Sequence, residues 1–554
     1  MSEKDKSFRF RFSSFAILLF IIAFFSNTGK GIASSTRDSN YFQNKVEQIS
    51  ERINKSFTPF VAFLSKILFW DPFSAIGIYD PVVYQNGKPV INEKGEIVKA
   101  PLKLIVVWLI CGALFFTLYM KFINIRGFSH SIGLIRGRYN NPANPGEVTH
   151  FQALMTALSA TVGMGNIAGV AIGISIGGPG ATFWMIMAGL LGMSSKFVEC
   201  TLGVKYRKIN EKGEVSGGAM YYLKYGLKKK RLGILGSFLA VLFSILVIGG
   251  SFGGGNMLQS NQSFSQFANI FPAIKNYGFV YGIIMAFLVG LVIIGGIKSI
   301  ARVTSKIVPV MAIIYIMAAI IIILFNIRHL HEAISLVVKG AFCADAMKGG
   351  FIGVLIMGFQ RGTFSNEAGV GSASIAHSTA KTNYPVSEGI VALIEPFTDT
   401  VVICTMTALV LVFTGYYNNP AGLQGVQLTS AAFGSVISWF PYVLLIAVFL
   451  FAYSTMISWS YYGQKGFDFL FGHWSEKLFG TRRVSTLFYQ VVYLACIVIG
   501  SSSSIYAVMD FSDMMVLCMA FPNVIGLMIL APEVKQELNE YWKKLKDGEI
   551  IRYW

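Results

Sequence analysis

The chain has few charged residues for its length. Of 554 residues, 13% are Asp, Glu, Lys or Arg, compared with about 25% in soluble domains. Hydrophobic residues make up 54%, and the mean hydropathy is +0.58. Long uncharged runs exclude a large water-soluble domain. They predict an all-α polytopic membrane protein.

Cysteine and histidine are also scarce, and neither forms a metal-binding pattern. The 6 cysteines are scattered without C-x-x-C spacing, so neither a disulfide framework nor a metal site is predicted. The 6 histidines are expected in or near loops, without ligand spacing. The spans contain no HExxH motif and no paired metal ligands, so neither an enzyme nor a cofactor is expected.

The chain has an excess of positive charge, and the position of its Lys and Arg residues in the loops accounts for this excess. The net charge is +18, and about 25 Lys and Arg residues fall in one set of alternating loops. The opposite loops hold only Lys275, Arg328, Lys339 and Lys348. By the positive-inside rule the first set is cytoplasmic, so nucleic acid need not be invoked. We expect a bacterial inner-membrane protein with an external N-terminus and a cytoplasmic C-terminus.

The N-terminal region divides into two segments. Residues 1–33 combine a basic flank, the apolar run FAILLFIIAFF and small polar residues, which is typical of a signal peptide. A retained short anchor is the alternative. Residues 34–102 are expected outside the membrane. They hold an interfacial helical segment at 53–70 and a small hairpin at 79–101.

The transmembrane domain is expected at residues 103–535, followed by a cytoplasmic tail at 536–554. About eleven spans are predicted in it, at 103–124, 152–177, 180–204, 232–255, 277–296, 307–326, 347–372, 388–413, 438–462, 485–502 and 514–531.

The second of these spans is broken in its middle. The stretch FQALMTALSATVGMGNIAGVAIGISIGGPG places Gly163, Gly165, Asn166 and Gly169 where a spanning helix should be most regular. Unpaired backbone at membrane depth is tolerated only where it is buried in protein or lines a polar cavity. A broken helix therefore indicates a binding site for an ion and a substrate.

A second interrupted span suggests an internal repeat. Segment 347–372 is expected to break at GFQRGTFSNEAG, residues 358–369. After the helix 103–124, the other ten spans divide into two groups of five, about 152–326 and 347–531. Five spans per group invert the second group relative to the first, as in transporters with inverted repeats. Glycine packing seams are the alternative, but polar residues at these depths disfavour it: Asn166, Gln360, Arg361, Asn366 and Glu367.

Other polar residues in the spans are candidates for chemistry. Two carboxylates, Glu395 and Asp399, lie inside one span; function and structural pairing with Arg361 or Lys381 are equally open. Lys196 and Glu199 are expected to pair at a helix end near the cytoplasm. Amides occur near the outer end of span 232–255, and span 438–462 carries hydroxyls on the same face as Trp459: Asn256, Gln259, Asn261, Ser454, Thr455 and Ser458. For Asn261, the alternative is a contact with the loop at the edge of the span. For the hydroxyls, the alternative is hydrogen bonding to their own helix.

Several long motifs in order resemble the alanine or glycine:cation symporter family, the sodium:alanine symporters. They are ATVGMGNIAGVA, GGPGATFWMIMAGLLGMSSKFVE, GNMLQSN, FSNEAGVGSASIAH, EPFTDTVVICTMTALV and FAYSTMISWSYYG, within roughly residues 100–535. The resemblance implies the leucine-transporter fold of inverted five-helix repeats. It also implies import of alanine or glycine with Na⁺, in some members with H⁺, and no obligate protein partner is evident.

The resemblance also implies the site residues. The amino acid would lie among Met164, Gly165, Gln259, Phe364, Thr455 and Trp459. Na⁺ would lie between the carbonyls of Ser159 and Val162 and the hydroxyls of Ser454, Thr455 and Ser458. The gating or structural candidates are Asn166, Gln360, Asn366, Glu395 and Asp399.

One position departs from the family pattern. The family often has Thr where this chain has Met164, which leaves backbone recognition intact but removes a hydroxyl that could affect substrate preference. A channel is a weaker hypothesis, since channels use repeated identical loops or charged rings.

Overall fold

The computed structural model describes residues 103–342, 350–418 and 422–553, and before them only scattered positions between 59 and 89. The signal-like segment 1–33 and most of segment 34–102, including most of helical segment 53–70, lie outside the described residues. Two short antiparallel strands, Tyr84–Gln85 and Lys88–Pro89, form the hairpin that the turn signals predict.

The described chain is almost entirely helical. Its main helices are α1 (Leu104–Tyr119), α2 (His150–Thr161), α3 (Gly165–Gly177), α4 (Ala181–Lys205), α5 (Gly233–Ile270), α6 (Gly278–Ile293), α7 (Gly296–Phe325), α8 (Gly350–Asn366), α9 (Ala373–His377), α10 (Pro385–Phe413), α11 (Phe440–Phe479), α12 (Arg483–Ser502) and α13 (Ile505–Lys546). Short helices fill the connections, at Ile123–Arg126, Phe128–Ile135, Ala219–Tyr221, Tyr222–Gly226, Leu227–Lys229, Pro272–Ile274, Ile327–His329, Leu330–Phe342, Tyr416–Asn418 and Val426–Val436. A second strand pair joins Lys208–Ile209 to Val215–Ser216.

Seven of the described helices are long and apolar enough to cross a membrane, namely α4, α5, α7, α10, α11, α12 and α13. Helices α2 and α3 add an eighth if they are counted as one span bent by 49°. Helices α1 and α6 are apolar but shorter. The count of eleven spans stays a prediction, as does the inverted repeat.

Several helices extend beyond the predicted spans. The predicted span 232–255 continues as helix α5 to Ile270, and α11 runs over 40 residues. Hydropathy falls where these sequences become polar, but Gln, Ser and Asn do not by themselves end a helix. The amides of Asn256, Gln259 and Asn261 therefore lie inside a helix, and their place near the outer end of a membrane span stays a prediction.

Large apolar side chains are exposed on the surface, and polar side chains are buried within the hydrophobic interior. Phe287, Ile313 and Val491 are 66%, 62% and 67% exposed, whereas Ser159 and Asn166 are fully buried. Contiguous exposed apolar surface is rare on soluble monomers but suits contact with lipid tails. The protein is an integral membrane protein.

The two interrupted segments lie within the helix bundle. Helix α2 packs against α7 and α11, while α8 packs against α4 and α3. Helix α4 also packs against α10, and α5 against α11. This packing brings the breaks next to side chains from α5, α10 and α11, which form the site.

Candidate functional site

The first break lies between α2 and α3, where the sequence predicts it. Helix α2 ends at Thr161, and Val162 leaves the helical conformation with φ −75° and ψ 91°. Helix α3 begins at Gly165 with a π-helical turn over Gly165–Gly169. Asn166 and Gly169 therefore belong to the first turn after the break.

Side-chain amides replace the helical hydrogen bonds at this break. The N–H of Gly163 donates to Oδ1 of Asn166 at 2.9 Å, and the N–H of Met164 donates to Oε1 of Gln259 at 3.0 Å. In an unbroken helix these N–H groups would bond the carbonyls of residues 159–160. Those two carbonyls thus lose their helical donors and become available to a cation.

The resemblance implies five residues at the ion, and we call them the oxygen cluster: Ser159, Val162, Ser454, Thr455 and Ser458. Hydrogen bonds join four of them across α2 and α11, and Ser458 follows Ser454 by one turn of α11. The hydroxyl of Ser159 donates to the carbonyl of Ser454 at 2.7 Å, and that of Thr455 donates to the carbonyl of Val162 at 3.3 Å. The Ser458 hydroxyl is buried and has no hydrogen-bond partner among the described residues. Buried polar atoms usually have a partner, so this hydroxyl is unsatisfied in the structure.

One hydroxyl of the cluster is used structurally. The Ser454 hydroxyl donates to the carbonyl of Phe451 at 3.1 Å, within its own helix. The alternative noted for this face, a hydroxyl bonded to its own helix, therefore holds at Ser454. Asn261 is structural too, because it donates to the carbonyls of Gly500 and Ser503 at 3.0 and 2.8 Å.

The second break begins later than predicted. Helix α8 is continuous through Asn366, so Gln360 and Arg361 lie inside a helix rather than in the break. Glu367 has a positive φ of 55°, a conformation that is rare for a residue with a side chain. The N–H of Ala368 donates to Oδ1 of Asn366 at 2.9 Å, which satisfies the backbone at this break.

Asp399 connects α10 to both broken segments. Its carboxylate accepts hydrogen bonds from Asn166, Ser365 and Thr400 at 2.6, 2.8 and 2.7 Å. It is fully buried. Structural pairing of this residue with Arg361 or Lys381 was an open alternative, and neither contact forms: Asp399 is held by neutral donors.

A small cavity lies between the two breaks, and its water-accessible volume in this structure is about 10 Å³, close to the space of one water molecule. Four of the residues predicted for the substrate line it: Gly165, Gln259, Phe364 and Trp459. The other lining residues are Ala160, Thr161, Gly254, Glu367 and Val516. Of the remaining predicted residues, Met164 is buried behind the lining and Thr455 belongs to the oxygen cluster.

Sequence reasoning noted Glu367 as a polar residue at membrane depth but did not place it at the substrate. Its carboxylate accepts from the indole N–H of Trp459 at 3.1 Å and from the hydroxyl of Ser372. The signal that could have located it is its position at the end of the second interrupted segment, facing the first.

A group of charged side chains is buried next to the site, and its pairing differs from the prediction. Lys196 lies 2.8 Å from Glu395 and 3.8 Å from Glu199, with all three side chains fully buried rather than at a helix end. Arg361 pairs with Asp513 at 2.8 Å instead of with Glu395. The reason is the packing of α4 on α10, which faces Lys196 toward Glu395.

Gln360 joins the second of these pairs. Its amide donates to Asp513 at 3.1 Å, beside the guanidinium of Arg361. This residue is therefore part of a buried ion pair between α8 and α13.

The far ends of the two broken segments are joined as well, in what we call the end junction: residues 145–150, Arg207 and residues 377–388. Glu388 accepts from both His150 and His377, which lie at helix ends next to loops, as expected, and are buried. The backbone pairs Val148 with Ala380. The guanidinium of Arg207 donates to four carbonyls of the two segments, those of Pro145, Ser378, Ala380 and Thr382.

A membrane protein with two interrupted helices around one small cavity, next to a set of oxygen ligands, belongs to the class of secondary transporters. The comparisons with known proteins agree. The model of the sodium:alanine symporter family matches residues 85–552, and the chain belongs to that family. It is a transporter rather than an enzyme, and its class of function is Na⁺-coupled amino-acid symport.

The chain is similar to several relatives over most of their length. It is 37% identical to the sodium/alanine symporter AgcS of Methanococcus maripaludis, over 82% of this chain and 96% of that protein. It is 36% identical to the probable sodium/glutamine symporter GlnT of Bacillus subtilis, over 81% and 89%. Among solved structures, MhsT in complex with L-phenylalanine matches with a TM-score of 0.44 and 13% identity, over 71% of this chain and 100% of that one.

Proposed function

We propose that the protein imports a small neutral amino acid, alanine or glycine, together with Na⁺ by alternating access. The observation that carries the proposal is the convergence of both breaks on one cavity, with Gly165 from the first and Glu367 from the second on its walls. Binding of ion and amino acid to one conformation lets the Na⁺ gradient drive uptake. Each charge that moves inward through the membrane potential releases about 2.3 kcal/mol per 100 mV.

The oxygen cluster is the proposed Na⁺ site. Hard cations prefer oxygen ligands, and broken helices supply them through carbonyls that have lost their helical donors. The available ligands are the carbonyls of Ser159 and Val162 together with the hydroxyls of Thr455 and Ser458. The position of Thr455, one hydrogen bond from the break, supports an ion site next to the amino acid.

Gln259 is proposed to position the substrate through the backbone. Its Oε1 accepts from Met164 and its Nε2 donates to the carbonyl of Gly254 at 2.8 Å, while the side chain also lines the cavity. Gln259→Ala is expected to raise the KM for alanine with little effect on Na⁺ affinity. Asn269→Ala, near the end of the same helix and outside the cavity, is the matched control. An unchanged KM in Gln259→Ala would remove this residue from the substrate site.

The identity of the amino acid needs a test of its own. One relative is named a probable sodium/glutamine symporter, so glutamine is the competing candidate. A competition panel of alanine, glycine, serine and glutamine against labelled alanine separates these substrates.

The topology is proposed from the loop charges. The two groups of five spans would be inverted in a bacterial inner membrane, with the C-terminus in the cytoplasm. Single cysteines introduced at Lys229 and at Lys275 in an otherwise cysteine-free chain test this orientation. A membrane-impermeant maleimide added to intact cells should label position 275 and leave position 229 unlabelled, and the reverse pattern would overturn the topology.

The transport proposal is tested with purified protein in liposomes. We expect uptake of labelled alanine when an inward Na⁺ gradient is imposed, and none when choline replaces Na⁺. A separate arm with a proton gradient alone examines H⁺, because a relative in Bacillus subtilis is named a putative sodium/proton-dependent alanine carrier. Uptake that persists in choline without a proton gradient would refute ion coupling.

A further inference from the structure

Glu367 places a carboxylate on the wall of the cavity. Its side chain is 4% exposed and lines the cavity together with Gly165 and Gln259. Two neutral donors hold it, the indole of Trp459 and the hydroxyl of Ser372. The backbone at Glu367 has φ 55°, so the break itself turns this side chain into position.

No lysine, arginine or histidine forms an ion pair with Glu367 within the described chain. Lys196 attracts this carboxylate from a distance, but its ion pairs are with Glu395 and Glu199. A buried carboxylate without a direct positive partner is costly, and two neutral hydrogen bonds offset only part of that cost. A positive charge on the occupant of the cavity would therefore stabilise the ionised carboxylate.

The other side of the cavity favours a negative charge. Gly165 begins α3, and the N–H groups at the start of a helix stabilise anions. One small cavity thus presents a carboxylate on one wall and a helix N-terminus on another. This is the charge pattern of a zwitterion, with its ammonium next to Glu367 and its carboxylate at α3.

We propose that Glu367 binds the α-ammonium group of the substrate and thereby selects amino acids over other small carboxylates. The proposal rests on the cavity being the substrate site described under the proposed function. The alternative is that Glu367 only fixes the shape of the second break through Trp459 and Ser372. The two roles differ in what they predict for ligands that lack the ammonium.

The experiment compares alanine with lactate, in which a hydroxyl replaces the ammonium, by thermal stabilisation of purified full-length protein in Na⁺. Wild-type protein should bind alanine more tightly than lactate by about tenfold or more, the usual worth of a charged hydrogen bond. In Glu367→Gln, which keeps the size and hydrogen bonding of the side chain, alanine affinity should fall by a similar factor. Lactate affinity should stay within about twofold.

Three controls make the outcome decisive. Ser372→Ala removes one hydrogen bond to Glu367 but keeps its charge, so the alanine-to-lactate ratio should be retained. Glu367→Asp keeps the charge on a shorter side chain and should give an intermediate ratio, which also serves if Glu367→Gln does not fold. Equal weakening of both ligands in Glu367→Gln, or unchanged alanine affinity, would overturn the proposal. Absence of Na⁺-dependent alanine binding by the wild type would refute the proposed function instead.

Discussion

Asn166 and Asn366 make the same pattern of hydrogen bonds at the two breaks. Each accepts a backbone N–H of its own break through Oδ1, that of Gly163 at 2.9 Å and that of Ala368 at 2.9 Å. Each then donates through Nδ2 to neighbouring residues of α10. Asn166 contacts Asp399 at 2.6 Å and Asn366 contacts Thr400 at 3.1 Å. One turn of α10 therefore sets the relative position of both breaks.

This arrangement predicts the effect of removing the carboxylate of Asp399. Asp399→Ala removes the carboxylate that accepts from the hydroxyl of Thr400. Asn166 and Ser365 would keep contacts to the sulfur of Cys404, and Asn166 would also keep the backbone carbonyl of residue 399. Each group left unsatisfied costs about 1–3 kcal/mol. We expect a lower melting temperature and reduced Na⁺-driven uptake. Asp468→Ala is the control, since the contacts of Asp468 with Ser485 and Thr486 are longer, at 3.5 and 3.4 Å. Equal stability of the two variants would contradict the role of Asp399.

The oxygen cluster predicts a change in Na⁺ dependence for Thr455→Val. The substitution keeps the shape of the side chain and removes one oxygen ligand, so the Na⁺ concentration for half-maximal alanine uptake should rise about tenfold. Ser460→Ala on the same helix is the control, because its hydroxyl bonds its own helix at Ile457. Wild-type Na⁺ dependence in Thr455→Val would remove this residue from the ion site.

Two glycines of the first interrupted segment give a matched pair. A Cβ on Gly163 would lie 2.7 Å from Oγ1 of Thr455 and 2.9 Å from Oε1 of Gln259, whereas a Cβ on Gly169 meets only a carbonyl at 3.9 Å. Gly163→Ala should therefore impair both Na⁺ and alanine binding, while Gly169→Ala should leave them near wild type. Titrations of purified protein with each ligand check this, and normal binding by Gly163→Ala would show that the break tolerates movement.

Much of the site could be predicted from the sequence, because breaks leave a local signal. Glycine and polar residues in the middle of an apolar span marked Gly163–Gly169, and hydroxyls one turn apart marked Thr455 and Ser458. The pairing of the buried charges could not be predicted. Lys196 and Glu395 lie 199 positions apart, and only the packing of α4 on α10 brings them into contact.

The ends of the helices could not be predicted from the sequence either. The sequence indicates where a chain enters and leaves lipid, through hydropathy, but not where its helix ends. Helix α5 therefore continues past the predicted span to Ile270, so Gln259 and Asn261 lie within a helix. The second break was placed too early for a similar reason. Gln360 and Arg361 are polar, yet an ion pair with Asp513 lets them remain in a helix.

Met164 predicts a change in substrate preference. The resemblance to the family implies Thr at this position in many members, and here the side chain is fully buried beside Gly165. Met164→Thr introduces a hydroxyl next to the cavity and should alter the ranking of alanine, glycine and serine as competitors of labelled alanine. Met164→Leu, which adds no polar atom, should keep the wild-type ranking. An unchanged ranking in both variants would make this position neutral.

The end junction has a kinetic consequence. The N–H groups of Glu147 and Lys381 bond across the two segments, to the carbonyls of Thr379 and Val148, both at 2.8 Å. Arg207 donates to four carbonyls of the same two segments, and Glu388 accepts from two imidazoles. No single hydrogen bond of the end junction can therefore open without straining the others. We expect one concerted release, visible in hydrogen exchange as equal protection of these two amides and a common loss of it in Arg207→Ala. Different hydrogen-exchange rates at these two amides would show that the two segments are released separately.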